Sequence, residues 1–418
     1  MSESSSEPIP PAWPELYARL GAETIGYGPP RPDGSFVELA ESFGAFESEY
    51  AAIRQRVGVM HLPQRAVLRL AGADVKDYLH RLCTQEINKL EGGQTVRAFQ
   101  LNEKGQIAAD MIVHHGDEST WLEMDVFDLV WVKDLIEARL FTEDVTIENW
   151  TDRRTFFWLL GPAAVRLLTE AAADDQKDGV AQMGATPGTT HVLDLPLGGG
   201  EAAHCSATRW DLGGVLGVRV AAPPEQAPGL FERLLALSGY EIGAEADAAH
   251  AERRRQSMRG RPVGWSAFNT VRIEEGVPWY HVDFGSDSLP AEVPGPWGID
   301  GAVSFVKGCY LGQEVVARMK SLGHPKKVLV GLKVVDDGPE DERLLPGVSG
   351  AQVFDIDEKQ KVIGGVTSST ASPLLGQAGI GFAVVRWGRH EPGTRVRVPA
   401  EGRLIEAQVT GLQELVGG

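Results

Sequence analysis

Cysteine is scarce in this chain: Cys83, Cys205 and Cys309 are the only three in 418 residues. An odd number cannot pair fully and these lie far apart, so a disulfide-built scaffold is excluded and a reducing compartment is expected. No C-x-x-C spacing occurs, so a self-contained zinc or cluster site is not expected and no metal ligands are assigned. Long hydrophobic runs are missing as well. No apolar stretch of about 18 residues or more is present, which excludes a membrane-spanning helix. The stretch from Met1 to Pro8 has neither the apolar core of a signal peptide nor the arginines of a transit peptide, so a cytoplasmic location is expected. Positive charge is in deficit, with 40 Lys and Arg against 58 Asp and Glu and a formal net charge of -18. That balance argues against a nucleic-acid partner.

Hydrophobic residues make up 43% and charged residues 23%, as in ordinary globular proteins, and the length suits about two or three domains. Residues 1–40 read as a flexible segment and loop, with a short helix at Trp13–Leu20 and a Gly- and Pro-rich loop from Gly26 to Gly34. A first α+β half is expected over 41–150. It carries helices at Ser42–Arg56, Val75–Leu82 and Leu129–Leu140, and strands at Ala66–Leu70, Gln94–Leu101, Ile107–His114 and Trp121–Val126. The run Val67–Val75 is echoed by Phe157–Val165: each reads as strand, glycine turn, helix. A second, similar half is therefore expected over 151–325, with an irregular loop at Asp174–Gly188 and helices at Ala227–Ser238 and Glu245–Arg255. Beyond Pro325 short β-rich runs separated by turn residues predict a β domain over 326–418.

The densest chemistry lies in Lys307-Gly308-Cys309-Tyr310-Leu311-Gly312-Gln313-Glu314. A strand over Gly301–Val306, a tight turn and a helix from near Leu311 are expected around it. Gln313 and Glu314 fall in the first helical turn, where a carboxylate is favoured by the helix dipole. A thiol before a helix N-terminus and near a lysine is a candidate nucleophile or ligand-facing group, or simply a small residue in a turn.

This K-G-C-Y-x-G-Q-E run, followed by Val315-Val316-Ala317-Arg318 and Gly323-His324, resembles the signature of the YgfZ family, folate-binding relatives of the glycine-cleavage T-protein. Tyr50–Met60, Leu82–Ile87, Leu101–Val113, Arg272–Pro278 and Gly365–Pro373 resemble T-protein blocks in the same order, from about Glu47 to Leu415. The resemblance implies an α+β fold of two similar halves forming a folate-binding core, plus a C-terminal β-barrel, with tetrahydrofolate as cofactor. It implies Asp110 and Cys309 as the reacting groups. It implies folate contacts from Asp110, Arg272, Lys307, Tyr310, Gln313, Glu314 and Arg318, with Arg272 or Arg318 on the glutamate tail by paired N–H donors. Arg272 otherwise pairs with Glu274 or Glu275. The sequence departs from the T-protein pattern twice. Ala109 and Asp110 keep at most one of two acidic positions, and Val215 and Leu216 replace two loop acids after Arg209. Three functions follow. The first is a folate-binding protein supporting iron–sulfur cluster assembly or repair, with assembly factors or client enzymes as partners. The second is a tetrahydrofolate-dependent aminomethyl- or methyltransferase, and the third an interaction module.

Overall fold

A computed structural model describes residues 12–240, 259–335, 345 and 349–416, apart from Pro32, Lys359 and Glu401. The expected helix at Glu245–Arg255 and the first eleven residues lie outside the described residues. The chain begins with α1 (Ala12–Leu20), β1 (Glu23–Tyr27), β2 (Val37–Ser42), α2 (Phe46–Gln55) and β3 (Gly58–His61). Next come β4 (Arg65–Ala71), α3 (Val75–Leu82), β5 (Gln94–Leu101), β6 (Ile107–His115), β7 (Thr120–Asp125), α4 (Leu129–Glu137) and β8 (Thr146–Asn149). The same order recurs, with an added helix, in β9 (Thr155–Leu160), α5 (Ala164–Ala171), α6 (Lys177–Met183), β10 (Thr190–Gly198), β11 (Glu201–Arg209), β12 (Gly217–Ala222), α7 (Ala227–Leu237) and β13 (Arg261–Pro262). After α8 (Trp265–Glu274), α9 (Ile299–Ala302) and α10 (Gln313–Leu322) the described residues form strands joined by loops and two short 3-10 turns: β14 (Lys327–Val334), β15 (Gln352–Asp355), β16 (Val362–Ser372), β17 (Ala378–Arg386), β18 (Arg395–Ala400) and β19 (Arg403–Thr410). Among the described residues no helix is long and apolar enough to cross a membrane.

Two compact units interleave along the chain. The described residues of 1–64, 152–211 and 216–267 form one, and those of 65–151, 212–215 and 268–418 the other. The first unit holds a sheet of order β10-β11-β12-β9-β3-β13, with Leu167, Leu168, Leu230 and Phe231 of its helices in the core against Phe157, Leu159, Val218 and Val220. The second holds a sheet of order β5-β6-β7-β4-β8 and a closed barrel of order β14-β17-β16-β15-β18-β19. Barrel closure leaves no strand edge unpaired, and Val353, Ile363, Val396, Val398, Ala407 and Val409 fill its interior at alternate positions. The expected α+β core with a C-terminal barrel is what forms.

Three expectations fail. Gly26–Gly34, read as a loop, starts inside β1, where Gly26 and Tyr27 pair with Glu38 and Val37 of β2. Asp174–Gly188, read as a loop, contains α6, whose Val180 and Met183 are buried. Gly301–Val306 is not a strand: α9 ends at Ala302 and the chain then runs irregularly to Tyr310. At Gly301 a Cβ would stand 1.9 Å from the Pro296 carbonyl oxygen, and Val306 is 89% exposed, so this apolar run neither extends nor packs as a strand would.

Candidate functional site

The sheet β5-β6-β7-β4-β8 has two unlike faces, as strand alternation requires. Ala66, Leu68, Leu70, Ala98, Met111, Val113, Leu122 and Met124 point into an apolar core with α3 and α4. The alternate positions carry Arg97, Glu123 and Asp125, which are buried, and Arg65, Asp110 and His114, which are half-buried. Buried charges must be paired. Arg97 grips Asp110 in a two-pronged pair, Nε to Oδ1 at 2.7 Å and Nη2 to Oδ2 at 2.5 Å. Its third nitrogen donates to the Trp297 carbonyl, and the guanidinium lies over the rings of Phe99 and Trp297 at 5.5 and 5.4 Å. One strand over, Arg65 Nε donates to Glu123 Oε1 at 2.9 Å, while His114 Nε2 lies 3.2 Å from Glu123 Oε2. Burial opposes the charge on Arg65, but Glu123 and Asp125 outweigh it and raise its pKa. At the rim of this face His281 Nε2 lies 3.0 Å from Asp128 Oδ1.

The K-G-C-Y segment is built against the hairpin that carries Asp110. Gly312 takes a left-handed φ of +80°, and a Cβ there would stand 2.8 Å from the Asn102 carbonyl oxygen. Gly105, at the hairpin tip with φ +74°, answers it: its Cβ would stand 2.7 Å from the Val315 side chain. Both positions need glycine for the approach. The Lys307 ammonium donates to the carbonyls of His80, Cys83 and Gln85, which closes the end of α3. Burial lowers its pKa to about 8. Tyr310 packs among Phe99, Leu101, Tyr280 and Phe284, and burial pushes its phenol up to about 12. Cys309 is an exposed free thiol, whereas Cys83 and Cys205 are buried. Gln313 opens α10 with its N–H on the Tyr310 carbonyl. Glu314 and Arg318 pair with each other on the exposed face of that helix at 2.7 Å.

Arg272 lies elsewhere in the unit, fully buried. Its Nη1 is 2.6 Å from Asp283 Oδ2, and its Nη2 donates to Ser368 Oγ at 2.7 Å. Asp283 Oδ1 in turn accepts from Thr367 and Ser368 of β16 at 2.8 and 2.5 Å. This pair ties α8 to the barrel. The expected partners Glu274 and Glu275 are used differently: Glu274 accepts from Ser372 Oγ and Glu275 from the Gly214 N–H. A carboxylate further along the chain wins because the turn after α8 delivers it to the buried face.

Thus Asp110, Lys307, Tyr310 and Gln313 gather around one hairpin and its docked turn, Glu314 and Arg318 stand on the outer face of α10, and Arg272 locks the barrel. Arg97, Glu123, Asp128 and His281 were missed by sequence reasoning. For Arg97 the alternation along β5 and β6, where Asp110 and His114 share a face, is the available signal; Asp128 and His281 lie outside these strands and have none.

A model of the GCVT N-terminal domain matches residues 16–307, and one of the glycine cleavage T-protein C-terminal barrel domain matches residues 327–413. Among curated proteins the chain is similar to an aminomethyltransferase of Halalkalibacterium halodurans, 27% identical over 409 residues and 94% of each chain. It is also similar to one of Prosthecochloris aestuarii, 25% identical over 407 residues and 96% of each chain. Among solved structures it resembles the glycine cleavage system aminomethyltransferase T of Bartonella henselae, with a TM-score of 0.74, 20% identity and 96% of each chain covered.

Proposed function

This chain belongs to the glycine cleavage T-protein family, and from that premise we propose that it is a tetrahydrofolate-dependent aminomethyl- or methyltransferase whose site is the charged face around Asp110. The observation that carries this reading is the Arg97–Asp110 pair. Arg97 occupies one lone pair on each Asp110 oxygen and fixes the plane of the carboxylate, which leaves acceptor positions for a pterin amino group and ring N–H. The donor and acceptor set therefore fits a reduced folate, which when bound would supply the nitrogen that accepts the one-carbon unit. Asp110 is the group to take the proton that such a nitrogen releases. Lys307, Tyr310 and Gly312 hold the adjoining turn against the hairpin. Arg318, exposed on α10, is the available cation for the glutamate tail, while Arg272 acts as a structural lock.

A calorimetric titration with tetrahydrofolate tests this. Wild type is expected to bind, Asp110→Asn to fold but lose most of its affinity, and Cys309→Ala to bind as wild type does. A wild type that does not bind sinks the reading. One observation favours a second reading, a YgfZ-like role in iron–sulfur cluster assembly or repair: Cys309 is an exposed thiol in the K-G-C-Y turn. In a strain lacking the gene, iron–sulfur enzyme activities restored fully by Cys309→Ala would remove the thiol from that role.

A further inference from the structure

His281 holds φ +67°, and among the described residues only Arg259 and Gln377 share a left-handed value without being glycine. Residues with a Cβ rarely take this conformation, and it persists only where the surroundings impose it. Here the His281 N–H donates to the Phe284 carbonyl, and the ring packs 4.2 Å from that of Tyr280. The constraint aims the imidazole at Asp128, at 3.0 Å.

Asp128 stands at the N-terminus of α4 but does not cap it with its side chain. Instead Oδ1 meets His281, and Oδ2 is buried without a hydrogen-bond partner among the described residues. A buried carboxylate that orients a partly exposed imidazole is the arrangement that fixes a tautomer and favours the imidazolium. With Nε2 committed to Asp128, Nδ1 is left for another partner. Burial lowers the imidazole pKa, but Asp128, then Asp125 of β7 and Asp110 of β6, outweigh it and raise the value above the usual one. Asp128 itself is pushed up by burial, against the pull of His281 and of Arg65 on β4. Two ionisable groups thus stand in different settings: Asp110 clamped by arginine and His281 backed by a carboxylate. Sites that move protons are commonly built this way.

We infer that His281, oriented by Asp128, is a ligand-contacting proton donor of the reduced-folate site, its protonated ring donating to an acceptor atom of the bound folate beside Asp110. This rests on the reading above and adds a second contact of opposite charge. An acceptor placed against the ring favours imidazolium, so binding takes up a proton from solution, and affinity falls as pH rises past neutrality.

The test is calorimetry with tetrahydrofolate between pH 6.5 and 8.5, in two buffers of different ionisation enthalpy, which counts protons exchanged on binding. Wild type is expected to take up a fraction of a proton. His281→Gln, which donates but cannot titrate, is expected to lose that uptake and its pH dependence. His281→Gly, which accepts the left-handed backbone freely, serves if glutamine does not fold there. It should bind roughly tenfold more weakly, the worth of one charge-assisted hydrogen bond. Asp128→Asn should move the pH dependence to lower pH. A merely structural His281 would leave proton uptake unchanged in these variants. Binding by wild type with the same uptake in His281→Gln and His281→Gly overturns this inference alone. Failure of wild type to bind overturns the functional reading, and this inference with it.

Discussion

The run from β4 to β8 and the run from β9 to β12 are the same design carried to different ends. In each, the first strand ends in a glycine of left-handed φ, +131° at Gly72 and +120° at Gly161. In each, the helix that follows buries positions i, i+3, i+4 and i+7: Val75, Tyr78, Leu79 and Leu82 in one, Ala164, Leu167, Leu168 and Ala171 in the other. Each hairpin leads its sheet in the same order. The hairpins themselves diverge. The tip of β5–β6 is pinned through Gly105 and Gly312, whereas Gly198, Gly199 and Gly200 at the tip of β10–β11 have open space around them. The pair on the first hairpin, Arg97 and Asp110, is 9% and 16% exposed. The pair on the second, His204 and Asp194, is 68% and 49% exposed. Backbone requirements are thus repeated while the chemistry is not. A scaffold element can be duplicated with its turn glycine and helix stripe intact, and only the hairpin held rigid and shielded becomes a place for a fixed carboxylate.

The largest expected effect separates the two turns. Ala at Gly72 would put Cβ 2.0 Å from the Asp144 carbonyl oxygen, and Ala at Gly161 would put it 2.6 Å from that of Arg56. Both substitutions should destabilise, by about 3 kcal/mol or more, with Gly72→Ala the worse. Urea unfolding measures this, and a neutral result at either would break the equivalence. Next come the ion pairs. Arg97→Ala leaves Asp110 shielded without its partner and should cost about 3 kcal/mol, while His204→Ala should fall within roughly 0.5 kcal/mol of wild type. Equal costs would mean that shielding does not distinguish the hairpins. The smallest effect is a pH dependence. The folded-state pKa of His281 lies above its unfolded value, so its stabilisation is full below about pH 6.5 and is lost as pH rises through the folded value. Urea midpoints between pH 5.5 and 8.5 should show this decline in wild type and lack it in His281→Gln.

Local pattern made much of the fold legible. The expected bounds of α3 and β5 match residue for residue, because an apolar stripe at helical spacing and a run of β-branched and aromatic residues each specify one element. The barrel strands were readable for the same reason. Gly301–Val306 misled because its backbone answers to contacts that come from distant chain. The Ser304 N–H donates to the Thr84 carbonyl and Lys307 reaches the end of α3. Around the candidate site, Asp110 was visible as a residue but its grip was not. Arg97 meets it only because β5 and β6 pair in the register that sets Phe99 opposite Asp110. His281 gave no sequence signal, since neither its left-handed backbone nor Asp128, 153 positions earlier, shows in a local window.

By itself the sequence determined what short-range physics controls: which segments become helix or strand, where glycine must turn the chain, and that the short β-rich runs beyond Pro325 would build a sheet structure together. Tertiary structure alone decided which charges meet. Arg272 chose Asp283 over the nearer glutamates, Lys307 was spent on three backbone carbonyls, and Arg97 took Asp110. The reason is that a buried charge must find its partner wherever the fold delivers one, and pairing energy depends on distance in space rather than separation along the chain.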